Sequence, residues 1–93
     1  MYVGVIHRIQ DRDAWAAALR AGDLSVFPPE MELVVTGTSA EADRAVCLWK
    51  APSTEFVQET LDRLYGPVAS AECFAVPDEF AYIAASTTAT AAV

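Results

Sequence analysis

Residues 31–57 read MELVVTGTSAEADRAVCLWKAPSTEFV, and this stretch decides the fold. Met31–Thr36 and Arg44–Ala51 are two runs rich in β-branched and large apolar residues. Between them lie seven small or polar residues, Gly37–Asp43, so the pair reads as a hairpin. Pro52 stops the second strand, and Ser53 is placed to cap a helix with Glu55 in its first, dipole-favoured turn. Phe56, Val57, Thr60, Leu61 and Leu64 then recur at helical spacing, and Gly66-Pro67 ends the run. The unit is strand, strand, helix.

Working outward, Tyr2–Ile9 alternates as a strand, with Val3, Val5, His7 and Ile9 on one face and Tyr2, Gly4, Ile6 and Arg8 on the other. Asp11 or Asp13 can cap a first helix in which Trp15, Ala18 and Leu19 share a side and Gly22 supplies the stop. The Asp23–Glu30 segment contains Pro28-Pro29 and reads as an irregular crossover with Leu24 and Phe27 turned inward. Ala69–Val76 is a fourth strand. Residues 79–85 fit a short strand or one helical turn, and the low-complexity STTATAAV of residues 86–93 reads as a frayed tail outside the 1–85 domain.

The order β-α-β-β-α-β predicts a ferredoxin-like α+β domain, an antiparallel sheet with both helices on one face. In this reading strands one and three are parallel neighbours, and strand four runs antiparallel beside strand one. The strands are apolar on both faces, so the face without helices predicts burial against a second copy of the chain, a homodimer. A 93-residue chain buries only about 60 to 65% of its surface on folding, which strengthens that expectation.

Thirteen acidic residues against six basic ones give a net charge of -7, which argues against nucleic acid and anionic membrane surfaces as partners. Cys47 and Cys73 lack metal-finger or redox-motif spacing and read as reduced, buried thiols of a cytoplasmic protein. The chain enters a strand at once, without a basic leader, and no apolar run approaches the roughly 20 residues of a membrane span.

The run Cys47-Leu48-Trp49-Lys50-Ala51-Pro52-Ser53, followed by Glu55 and Val57 and with Glu72 in the last strand, resembles small members of the dimeric α+β barrel superfamily, one branch of which is nickel-binding. The resemblance spans roughly residues 2 to 80. It implies a homodimer with a pocket between sheet and helices that holds few polar groups. The activities it implies are those of heme-degrading and quinol-forming monooxygenases, muconolactone-type isomerases and polyketide cyclases. No metal-ligand signature of the superfamily is complete, since the chain has one histidine.

That histidine, His7, is the one side chain whose ordinary pKa lies near neutrality. It reads either as an acid/base at a pocket or as a strand-end residue bonded to backbone. Glu72 is a carboxylate in an apolar strand and needs a partner. It reads as the orienter of His7 or as an edge residue facing water or an arginine. Trp49, Cys47, Phe74 and Val5 are the candidate ligand-binding residues, with Trp49 expected near the level of His7. The leading expectation is a homodimer binding a small hydrophobic or aromatic molecule, without a cofactor, for cyclisation, isomerisation or cofactor-free oxygenation. The alternative is a non-catalytic protein binding nickel or another divalent metal, in which His7 is the only histidine able to serve as ligand.

Overall fold

The computed structural model describes residues 1–84; the tail read at 86–93 lies outside them. The elements run β1 (Tyr2–Ile9), α1 (Arg12–Ala21), a 3-10 turn (Leu24–Val26), β2 (Glu32–Thr38), β3 (Arg44–Lys50), α2 (Thr54–Tyr65), β4 (Ala69–Val76) and a second 3-10 turn (Asp78–Phe80). The four strands form one sheet in the order β2-β3-β1-β4, every neighbouring pair antiparallel. This is the α+β, ferredoxin-like arrangement expected from the element order. One part of the expectation is corrected: β1 and β3 are antiparallel, not parallel. A right-handed β1-α1-β2 crossover makes β1 and β2 parallel, and the hairpin partner β3 lies between them and opposes both.

Caps and breakers set the boundaries. The Asp11 carboxylate accepts the Ala14 amide at 3.0 Å, and α1 ends at Gly22, whose left-handed φ of 61° suits a residue without Cβ. The Ser53 hydroxyl accepts the Phe56 amide at 3.0 Å. β2 runs two residues beyond its expected end, because a bulge between Leu33 and Val35 resets its pairing with β3 and lets Thr38 oppose Ala45. After β4, residues 78–80 form the 3-10 turn.

Alternation along β1 divides the molecule. Val3 and Val5 are fully buried and pack with Trp49 of β3, with Val57 and Leu61 of α2, and with Met31 and Ala51. Trp15 of α1 packs on Ala45 and Ala69. Both helices therefore cover the same face of the sheet. On the other face Ile6, Val46, Val35 and Phe74 are exposed, with Ile6 directly opposite Val46 and Gly4 directly opposite Phe74. A Cβ on Gly4 would lie 2.5 Å from the Phe74 ring, so glycine here lets an aromatic ring lie flat across the central strand.

Replacing Ser53 by Ala strands one amide of the first turn of α2, and the expected cost is about 1 kcal/mol of stability. Urea denaturation checks this; a midpoint equal to that of the parent chain would show that the first turn of α2 draws nothing from this hydroxyl.

Candidate functional site

A cavity of about 240 Å³ lies between α1 and the sheet. The sequence of α1, RDAWAAALRA, accounts for it: alanines cannot bridge the space between a helix axis and a sheet, and Trp15 is the one buried residue of the helix. Trp15 reaches the sheet over His7, with ring centroids 5.0 Å apart, and its indole N–H donates to the Thr38 hydroxyl at 3.1 Å. Beyond it the helix is too slim to fill what remains, and Ala18 and Leu19 form only part of a roof.

The walls are aromatic. Trp15 meets Tyr65 of α2 edge-on at 6.4 Å, Tyr65 meets Phe27 at 5.9 Å, and Phe27 meets Trp49 at 4.8 Å. Pro28-Pro29 ends the crossover just after Phe27 and fixes the chain so that this ring packs inward. Leu24, expected to turn inward with it, is largely exposed and contributes to the mouth.

The polar part of the lining is small. The Thr36 hydroxyl, the Cys47 thiol and the His7 imidazole form a row across β2, β3 and β1, with Thr36 Oγ1 3.3 Å from Cys47 Sγ and Cys47 Sγ 3.5 Å from His7 Nε2. His7 is 2% exposed, and burial pulls its pKa below the ordinary 6.5, against a weaker upward pull from the Ser70 backbone. That pull does not amount to a hydrogen bond, since Nδ1 has no partner within bonding geometry. Burial also pushes the Cys47 thiol up, against a smaller opposing effect of Thr36. Near pH 7 the row is therefore a hydroxyl, a neutral thiol and a neutral imidazole. If the thiol donates to Nε2, the ring proton sits on Nδ1. Trp49, 3% exposed, also has an indole N–H without an acceptor.

The structure sorts the candidate residues by strand parity. His7, Cys47 and Trp49 line the cavity. Val5 lies on the same face but is sealed in the core beneath α2. Glu72 is corrected: its cross-strand partner is Ile6 while that of His7 is Ala71. A one-residue offset in a strand reverses the face, so Glu72 is exposed on the open side and does not orient the imidazole. Phe74 shares that face, over Gly4. Trp49 stands opposite Val3, whereas Ala45 stands opposite His7. Trp49 and His7 thus occupy different levels and meet only through the cavity.

Both cysteines are free and flank Val5 on opposite sides. Two strand spacings, about 9 to 10 Å, exceed the roughly 7 Å that a disulfide spans. Among the described residues no three His, Cys, Asp or Glu side chains gather as a metal site, and no helix is long and apolar enough to cross a membrane. Tyr65, which reads in the sequence as an interface or pocket hydroxyl, lines the cavity, whereas Trp15, Phe27 and Thr36 carry no sequence signal of a site. The spacing of Trp15 placed it on the inward side of the first helix, but nothing in the sequence showed that α1 would leave a gap beside it.

The lowered pKa of His7 has a sign. The unfolded chain binds the histidine proton more readily, so stability should hold above pH 6.5 and fall as the pH drops below it, levelling off below the folded-state pKa. Asp23 and Asp43, whose pKa values lie below 3.8 through hydrogen bonds from serine, lose their contribution only in a separate, more acidic window. Denaturation between pH 8 and 5 should show the decline in the parent chain and a flat profile in His7→Gln, whatever the offset between the two. Cys73, pushed up to about 11 mainly by burial, should add to a loss of stability on the alkaline side that begins near pH 9 and is smaller in Cys73→Ala, where only the raised Cys47 thiol remains.

Compared with protein-family models, with curated proteins and with solved structures, the chain matches none.

Proposed function

We propose that the chain is a homodimer that binds a small apolar or aromatic molecule in the cavity beneath α1, and that His7 serves there as acid/base for proton-transfer chemistry such as cyclisation, isomerisation or cofactor-free oxygenation. The observation that carries this reading is a cavity with aromatic walls and a single titratable base on its floor, His7, which burial keeps neutral. A neutral imidazole can take a proton at pH 7, and apolar surroundings keep competing water away. Nε2 is the atom available for that role, since it faces only the weakly held Cys47 thiol at 3.5 Å. At about 240 Å³ the cavity falls below the roughly 300 to 1,000 Å³ of drug-sized sites and suits a compact ligand.

The homodimer rests on the open face. Its centre carries Ile6, Val46, Val35 and Phe74, all exposed. At one end Arg8 and Arg44 stand directly opposite one another, an unfavourable pairing of like charges within the chain. At the other end lie Glu32, beside Lys50, and Asp78 and Glu79 beyond β4. A two-fold axis in the interface plane and perpendicular to the strands lays apolar centre on apolar centre and sets the arginines of each copy towards the carboxylates of the other. The cavity is on the far side of the sheet and is complete within one chain.

Because Trp15 and Trp49, the only two tryptophans, both line the cavity, intrinsic fluorescence reads its occupancy. Titration with aromatic and polyketide-like compounds should quench the parent chain. His7→Gln should lose binding or turnover while remaining folded, and Glu72→Gln should keep both. If His7→Gln keeps every ligand, the imidazole has no part in the site; if it loses only Ni²⁺, His7 is a metal ligand instead. Sedimentation at micromolar concentration should give a dimer that weakens as salt is raised, and a monomer would remove the assembly from the proposal.

A further inference from the structure

We propose that the ligand of this cavity carries a compact organic cation, a quaternary ammonium group, held against the rings of Trp15, Tyr65, Phe27 and Trp49. The inference rests on the cavity being a ligand site and names the class of ligand it takes. These four rings form an unbroken series with neighbouring centroids 4.8 to 6.4 Å apart. A cation is attracted by an aromatic face within about 6 Å of its centroid, so a cation on the cavity side of two neighbouring rings can be shared between them.

The charges around the cavity have one sign. Asp23 is the only formally charged side chain in the lining, which holds no lysine or arginine. Its carboxylate accepts both the amide and the hydroxyl of Ser25, which keeps it ionised. It stands at the Tyr65 side, close enough for its charge to be felt by the Tyr65 hydroxyl. A net charge of -7 extends the same preference outward, drawing cations towards the protein and repelling anions.

The scarcity of acceptors selects among cations. A primary ammonium brings three N–H donors; the Asp23 carboxylate at the exposed side can accept from one part of it, but the Thr36 hydroxyl and Cys47 thiol on the floor are already engaged with each other and with His7. Donors left without partners in an apolar cavity are costly. A quaternary ammonium has none to satisfy and spreads its charge over methyl groups that pack as apolar surface.

The test compares two isosteres, phenyltrimethylammonium and tert-butylbenzene, by quenching of Trp15 and Trp49 fluorescence. The expected result is binding of the cation at least about tenfold tighter than the neutral compound. In Asp23→Asn, where asparagine retains the capping role, the cation should lose affinity severalfold and the neutral compound should not. Phe27→Leu, which keeps an apolar side chain but removes a ring, should likewise weaken the cation more than its isostere. Equal or tighter binding of tert-butylbenzene overturns the cation while leaving the cavity a ligand site. If neither compound nor any member of the aromatic panel binds, the cavity reading and this inference fall together.

Discussion

The antiparallel pairing of β1 with both β3 and β4 is the constraint from which the rest of this structure follows. A strand hydrogen-bonded on both edges cannot slip without breaking two ladders, and each residue of β1 has a fixed partner on either side, as Val5 has in Cys47 and Cys73. Side-chain alternation then assigns Val3, Val5 and His7 to the helix face and Gly4, Ile6 and Arg8 to the open face. Val3 and Val5 meet α2 and close a dry core. His7, two residues on, passes beyond α2 and meets α1 through Trp15, so the same alternation that builds the core delivers an imidazole to the edge of the cavity.

The cavity arises from a mismatch between the two helices. α2 offers Val57 and Leu61 to the sheet, and side chains of that length close the gap in ordinary helix-on-sheet packing. α1 has the same amphipathic logic but spends its inward positions on alanine, with Trp15 alone reaching the sheet. Filling the space would take only larger residues, each worth roughly 1.5 to 3 kcal/mol if fully buried. A fold this short gives up stability by leaving the space unfilled, and that cost supports the proposal of a ligand site there.

Most of the fold could be read from local chemistry. The hairpin around Gly37–Asp43, the Ser53 cap and the Gly22 stop each follow from a residue whose conformational preference is strong by itself. Two errors came from non-local geometry. Treating β1 and β3 as parallel raised Trp49 to the level of His7, where antiparallel pairing sets it opposite Val3. Glu72 was paired with His7 on proximity of strands, but its face depends on register to one residue, which no residue type in β4 announces. His7 could be singled out because it is the lone histidine, whereas Trp15 could not be separated from an ordinary core residue. The identity of the cavity wall depends on what α1 fails to fill, and an alanine-rich helix reads the same in sequence whether its partner surface is close or distant.

The two unsettled surfaces of the sheet place different demands on the chain. The helix face carries the polar row Thr36, Cys47 and His7, whose members contact one another across three strands of the one chain. The open face has the opposite character: Ile6 and Val46 are exposed beside each other, with Val35 and Phe74 also exposed. Adjacent exposed apolar side chains on a flat sheet are an aggregation hazard unless covered. Arg8 and Arg44 at one end limit which cover fits, since a second sheet laid with its strands in the same direction would bring four guanidiniums together. Reversing the strands removes that clash. In the proposed homodimer the charged ends of the sheet would thus act less as a source of affinity than as a rule of orientation, leaving the apolar centre to supply the contact area.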